Sequence, residues 1–338
     1  MALPENRNIL SDLSAGNVPL VCLAPMAGAT DHAMRRMCKA HGAAYMTTEM
    51  VSAQAVRFAD KKTLIIADIA AGEMPAAVQI FGEDPAVMAY AAEKLLYELP
   101  VTPAAIDINM GCPVKKIVSV GAGSALMKNT PLAAKIVEEV VKASRVPVTV
   151  KIRAGFTEEE KNAPEFARAM QESGASLITV HGRTRAQQYM PGVDYEIIRR
   201  VKETVTVPVI ANGDIDSGEK AKEVLSYTGC DGVAVGRGAL GRPFVFAEIN
   251  AALKGEVYTP PGPSERLDAA ITHIRLLIKE KGEYIGAREA RKHAAWYTKG
   301  IYGSAELRVK INRCETQEEI EELFREFRLA AETGNIHD

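Results

Sequence analysis

The chain has 338 residues, 47% of them hydrophobic and 25% charged, an ordinary globular composition that excludes wholesale disorder. Its 41 Lys and Arg nearly balance 43 Asp and Glu, for a formal net charge of -2. That balance excludes a uniformly basic nucleic-acid coat and leaves room for a local basic patch. Five scattered cysteines (Cys22, Cys38, Cys112, Cys230 and Cys314) lack CxxC spacing, which argues against a disulfide scaffold and a structural zinc site. The opening MALPENRNIL carries Glu5 and no apolar core, so no secretory signal is expected there. No apolar run approaches the roughly 20 residues that span a bilayer. A cytoplasmic protein with no membrane association is the expectation.

In chain order, strand-length apolar runs recur at 19–25, 43–49, 75–81, 103–109, 146–152, 175–181, 207–213 and 232–236. Helical patterns fall between them at 31–41, 84–98, 131–144, 161–173, 194–203 and 217–227. Several open on N-cap signals: Thr30-Asp31, Asp84-Pro85 and Asp216-Ser217. Continuous apolar strands alternating with helices predict a parallel sheet, and eight units without a reversal predict a closed (β/α)8 TIM barrel over 1–253. The Gly-rich stretch 110–130 reads as an active-site loop. Pro260, Pro261 and Pro263 with Gly255 and Gly262 mark a linker at 254–265. Beyond it, helical patterns at 264–282, 284–300, 305–312 and 316–333 predict a small all-helical C-terminal domain over 266–338.

Parallel barrels gather their chemistry at the C-terminal strand ends. Here those ends are Pro25-Met26-Ala27-Gly28, Glu49, Gln79, Asn109 with Cys112, Lys151 with Arg153, His181 with Arg183, Asn212-Gly213-Asp214 and Gly236-Arg237-Gly238. The glycines after strands seven and eight let backbone N–H groups approach an anion, and Arg237 can add a charge-assisted bond, so a phosphate is expected there. Lys151, at the exit of an apolar strand, can carry a Schiff base, pair with a carboxylate or stabilise an anion. His181 can be a satisfied core histidine or a donor to a ring or phosphate. With no HxH or HExxH spacing beside it, no metal is expected. Cys112, between Gly111 and Pro113, differs from the apolar filler expected of Cys22, Cys38 and Cys230. A thiol of ordinary pKa, about 8.5, is mostly protonated at neutral pH and can act as a general acid or a nucleophile.

Taken in order, APMAGATD (24–31), AVQIFG (77–82), DINMGCPV (107–114), GAGSALMKN (121–129), VKIRAG (150–155), HGRTRAQ (181–187), NGDI (212–215) and GRGALGRP (236–243) carry a family resemblance. With REARKHAAWYTKG (288–300), the chain resembles the tRNA-dihydrouridine synthases, bacterial flavoenzymes that reduce selected uridines in transfer RNA. The resemblance implies an FMN-linked oxidoreductase barrel with NADPH as reductant and the tRNA D-loop and elbow as partner. It implies that the Pro25-Met26-Ala27 backbone borders the isoalloxazine and that Gln79 and Lys151 bond its pyrimidine edge. His181 would lie close to the flavin, and Asn212, Gly213, Asp214, Gly236 and Arg237 would hold its tail and phosphate. Asn109 would face the uracil, and Cys112 matches the family's proton donor. Reduction of the C5–C6 bond fits that set: hydride from a reduced flavin on one face of the base, a proton from an acid on the other.

From Tyr284 to Arg313 there are seven Lys or Arg against two acids. On a helix Arg288, Arg291, Lys292 and Lys299 fall within about one 100° arc, which predicts contact with an RNA backbone. Trp296 and Tyr297 can stack on bases, but Ala290, Ala294 and Tyr297 share the opposite side, so core packing is expected of at least one. Three rivals stand beside this reading. A flavin reductase of a free pyrimidine has no need of a basic helical appendage. An aldolase or isomerase using Lys151 would carry no flavin, and a catalytically silent RNA-folding helper has no need of Cys112 and Lys151.

Overall fold

Eight runs rich in Val, Ile, Leu and Ala pair side by side in parallel and close on themselves. They are β1 (Leu20–Leu23), β2 (Tyr45–Ser52), β3 (Ala76–Phe81), β4 (Ala105–Met110), β5 (Val148–Arg153), β6 (Leu177–His181), β7 (Val209–Asn212) and β8 (Gly232–Val235). β8 returns to β1 in the register Leu20↔Gly232 to Leu23↔Val235, closing the expected barrel. The computed structural model describes residues 19–332; the opening segment read for a secretory signal lies outside them. Among the described residues no helix is long and apolar enough to cross a membrane.

The pleat sorts the side chains of each strand. On β4, Ile106, Ile108 and Met110 join the core beneath the surrounding helices, leaving Ala105, Asp107 and Asn109 for the barrel interior. Register sets Gln79 beside Asp107, Asp107 beside Thr149, and Asn109 beside Lys151. A polar layer near the C-terminal mouth is thereby dictated by strand pairing.

Helices His32–Ala40, Pro85–Glu98, Thr130–Ala143, Ala163–Glu172, Tyr195–Thr204 and Gly218–Thr228 fall where the periodicity put them. Asp31, Asp84 and Ser217 cap them by accepting from Met34, Val87 and Lys220 backbone N–H groups. Ala53–Arg57, Lys61–Ala67 and Lys115–Val118 were not foreseen, being too short to show a helical period. Helix Val245–Lys254 follows β8 and ends at Gly255, whose φ of 75° is left-handed.

Residues 255–262 form neither helix nor strand. A helical run then covers Pro263–Tyr297, broken at Gly282, whose φ of 74° and ψ of 161° turn the chain back on itself. Two antiparallel helices result, as the sequence pattern on either side of 283 implies. A Cβ on Gly286 would lie 2.7 Å from Ile278 Cα, and Arg266 Nη2 donates to the Tyr297 and Lys299 carbonyls at 2.8 and 2.6 Å. Helices Ser304–Ile311 and Gln317–Glu332 complete the unit.

Leu267, Ile274, Leu277, Ala290, Tyr297 and Phe324 share one apolar cluster with Ala33 and Met37 of the first barrel helix. The helical unit and the barrel therefore bury a common surface. Gly241, in the turn after β8 with φ 65°, closes the seam, since a Cβ there would meet the Trp296 carbonyl carbon at 2.3 Å. Close backbone approach makes a separate prediction for Gly286. Gly286→Ala should cost about 1–3 kcal/mol in urea denaturation by overpacking the helix pair; an unchanged midpoint would mean the hairpin is looser than drawn.

Candidate active site

Beyond β4 the chain enters the loop that carries Cys112, and nearly every backbone polar group there has a partner. Asn109 Oδ1 accepts from the N–H groups of Gly111 and Cys112 at 3.2 and 2.9 Å. Arg153 Nε donates to the Gly111 carbonyl at 2.6 Å, and Ser124 donates to the Cys112 carbonyl through both its N–H (3.1 Å) and its hydroxyl (2.8 Å). Gly123, with φ 60°, lets that second segment approach: a Cβ would sit 3.0 Å from the Cys112 carbonyl oxygen. Cys112 is 8% exposed. Burial pushes its thiol above the usual range, against the opposing influence of a bond from the Val114 backbone and the charges of Arg153 and Lys151. A protonated sulfur on a rigid loop is the result.

Asn109 also donates Nδ2 to Gln79 Oε1 at 2.8 Å, and Gln79 Nε2 donates to Asp107 Oδ2 at 2.7 Å. Thr149 Oγ1 donates to the other oxygen of Asp107 at 2.5 Å. Burial raises the Asp107 carboxyl, offset by its bonds to Gln79 and Thr149 and by the Lys151 charge. On the far side Lys151 Nζ donates to Asn212 Oδ1 at 3.0 Å, and Asn212 Nδ2 donates to the Ala234 carbonyl at 2.7 Å. Burial, then the neighbouring Arg153, bring the Lys151 ammonium down to about 8. His181 is neutral: burial and the surrounding Lys151, Arg153, Arg183 and Arg237 push its pKa far down.

At the β6, β7 and β8 ends the side chains form a cationic cup. Arg183, 1% exposed, gives both terminal nitrogens to Asp214, and Arg237 Nη2 donates to the same carboxylate at 3.1 Å. Two guanidiniums against one carboxylate leave a net positive charge, and the Asp214 carboxyl is lowered by Arg183 first and by Arg237. Its carboxylate is thus engaged by two arginines. Gly213 has φ 130°, while a Cβ on Gly236 would meet only Met26 Sδ at 3.8 Å, so open space lies beside that glycine.

Pro25, Met26 and Ala27 follow β1 in a turn tied by Thr30, whose Oγ1 accepts from the Met26 N–H at 3.1 Å. The next peptide, at Gly28 with φ 72°, is held from both sides. Its N–H donates to Glu49 Oε2 at 2.6 Å and its carbonyl accepts from Lys292 Nζ at 2.6 Å.

The four basic residues read as one RNA-facing stripe are put to different uses. Lys292 grips the Gly28 carbonyl, and Arg291 Nε donates to the Cys314 carbonyl at 2.7 Å inside the helical unit. Arg288 lies 3.7 Å over the Tyr284 ring, and Lys299 is exposed. Arg288, Arg291 and Lys292 lie on the helix and Lys299 past its end at Tyr297, and backbone carbonyls engage three of the four charges, Arg288 through the Tyr284 carbonyl at 2.9 Å. Tyr297 is fully buried against His273, and Trp296 is half-buried, edge-on to His293.

Asp107, Thr149 and Arg153 were not singled out for these contacts. Asp107 sits inside the quoted DINMGCPV run, and the alternation Asp107-Ile108-Asn109 already turns it inward; that signal was available. Nothing local reveals that Arg153 bridges two loops, with Nη1 on the Thr184 carbonyl at 3.0 Å and the Gln188 carbonyl at 3.1 Å.

The dihydrouridine synthase family model, "Dihydrouridine synthase (Dus)", matches residues 22–332. The chain belongs to the dihydrouridine synthase family. It is 43% identical over 93% of its length, and 96% of the relative's, to the "Probable tRNA-dihydrouridine synthase" of Rickettsia conorii. It is 43% identical over 88% of its length, and 89% of the relative's, to "tRNA-dihydrouridine synthase B" of Xanthomonas axonopodis pv. citri. The protein of that name from Pseudomonas aeruginosa is 40% identical over 86% of this chain and 87% of its own.

For a dihydrouridine synthase the buried ammonium has a measurable signature. Folding penalises charged Lys151, and that penalty is complete below about 8. It is relieved as pH rises toward the unfolded value of about 10.4, because the unfolded chain then binds the extra proton. Lys151→Met should therefore raise the melting temperature of ligand-free protein at neutral pH, with the gain shrinking between those two values. A melting temperature lowered equally at every pH would contradict the assigned burial.

Proposed function

We propose that this dihydrouridine synthase reduces the C5–C6 bond of D-loop uridines in tRNA, with FMN as the bound cofactor, NADPH as its reductant and Cys112 as proton donor. The observation that carries the reading is Cys112: a thiol held protonated by burial, on a loop pinned at a strand end beside Lys151. A nucleophilic cysteine would need the opposite shift.

The residues present fit FMN. Gly236 offers an open cradle beside Met26, and the Arg183–Asp214–Arg237 cluster keeps a net positive charge suited to a phosphate. In this reading Gly213, Asp214 through its backbone, Gly236 and Arg237 hold the phosphate, with Asn212 near the tail. The Pro25-Met26-Ala27 backbone borders the ring, Gln79 and Lys151 meet its pyrimidine edge, and neutral His181 lies close by. Bound there, FMN supplies hydride chemistry at the uracil.

The chain's own residues do the rest. Lys151, oriented by Asn212, places positive charge where negative charge develops. Asn109 has one amide hydrogen beyond its bond to Gln79, available for a uracil carbonyl. Cys112 delivers its proton to C5 from the loop, on the face opposite the ring. Drawing a uridine out of its stack costs on the order of a few kcal/mol, which RNA contacts must offset. Exposed Lys299 and Arg288 suit backbone contact, and Lys292 serves it only by releasing Gly28.

Mass mapping of tRNA from a deletion strain tests the function. Uridines carrying a mass increment of about 2 Da, the two added hydrogens, should disappear, return with the wild-type gene and return poorly with Cys112→Ala. Unchanged dihydrouridine in a strain with no second such gene would refute the reading. A parallel check uses iodoacetamide: Cys112 should label slowly near neutral pH and speed up only at a pH above that at which an ordinary thiol does. Rapid labelling with a flat profile through neutrality would identify a thiolate and remove the proton donor.

A further inference from the structure

Asp107 belongs to none of the roles assigned so far, yet it ends the hydrogen-bond chain that leads to Cys112. At one end the Cys112 and Gly111 N–H groups can only donate, so the amide of Asn109 must turn its oxygen toward them. Its nitrogen then faces Gln79, which must answer with oxygen, and the Gln79 nitrogen is left for Asp107. A carboxylate, which only accepts, satisfies that last place. Either amide turned over would set nitrogen against nitrogen and oxygen against oxygen within the buried chain.

We infer that Asp107 is a positioning residue: through Gln79 and Asn109 it fixes the polarity of a buried amide relay and thereby the setting of the Cys112 loop. The inference rests on the proposed role of Cys112 for its effect on turnover. Thr149 anchors the acid from β5 at 2.5 Å, and the four residues lie on three adjacent strands in register, so the relay is rigid. Such buried networks act as units, and deleting one member is felt at the others.

The test compares full-length Asp107→Leu, Asp107→Asn, Asn109→Ala and the double variant Asp107→Leu/Asn109→Ala on tRNA. Asp107→Leu should lower kcat by about 100-fold with little change in KM for RNA, the usual scale for a misplaced reacting group. Asp107→Asn should recover most of the loss, because its oxygen can still accept from Gln79 while its amide donates to Thr149. The double variant should be no worse than the more damaged single one, since both cut the same chain. Additive losses, or a folded Asp107→Leu with normal kcat, would overturn the inference.

Iodoacetamide labelling of Cys112 separates this from the function itself. Cutting the relay should free the loop and raise the labelling rate near neutral pH by about tenfold, whether or not any uridine is reduced. Should Asp107→Leu not fold, Gln79→Met cuts the relay midway and must show the same rise. An unchanged rate in the folded variant refutes the relay. If the wild type reduces no uridine while the labelling rises, the function fails and the relay stands.

Discussion

The bonds from the Gly111 and Cys112 amides to Asn109 Oδ1 govern the mouth of this barrel. A cysteine on a free loop would sample many positions and titrate like a thiol in water. Here the sulfur's backbone is held from strand β4 by Asn109, from β5 by Arg153 and from the 123–124 turn by Ser124. The proposed proton delivery would demand placement as much as acidity, and rigid strands supply placement better than loops do.

A second constraint is electrostatic. Lys151, Arg153, Arg183 and His181 lie on neighbouring strand ends, with Arg153, Arg183 and His181 buried. Acid side chains offset only part of that charge: Asp107 sits beneath it and Asp214 at its rim. The remaining positive character is costly to the folded chain and useful to an anionic ligand, a trade seen wherever binding sites are built from desolvated charge. It also explains why the histidine is forced neutral while the lysine keeps its proton through most of the neutral range.

Strand positions, the principal helices and the eightfold closure were legible because apolar periodicity is a local signal and the barrel repeats it. The split of the C-terminal helices at residue 283 was legible for the same reason, and Gly282 supplies its physical cause. Short helices such as Lys115–Val118 were hidden by their length. At the site, residues at strand ends could be read off directly. Alternation along β4 turns Asp107 inward, but its partners Gln79 and Thr149 depend on cross-strand register and could not be read without pairing the strands. In the basic arc of the C-terminal region, Lys299 lies past the helix end at Tyr297, and the carbonyls of Gly28 and Cys314 that engage Lys292 and Arg291 are far away in sequence, so no local pattern could show them.

Ala33 and Met37, on the first barrel helix, pack into the same cluster as Leu267, Ile274 and Tyr297. Severing the chain at its proline-rich segment would strip that helix of its cover and leave a sticky apolar stripe open to water. Lys281 and Lys292 would vanish too, and with them the grip on Asp31 and on the peptide of Gly28. Barrel and helices are thus better regarded as one cooperative body with two faces than as an enzyme carrying a detachable handle.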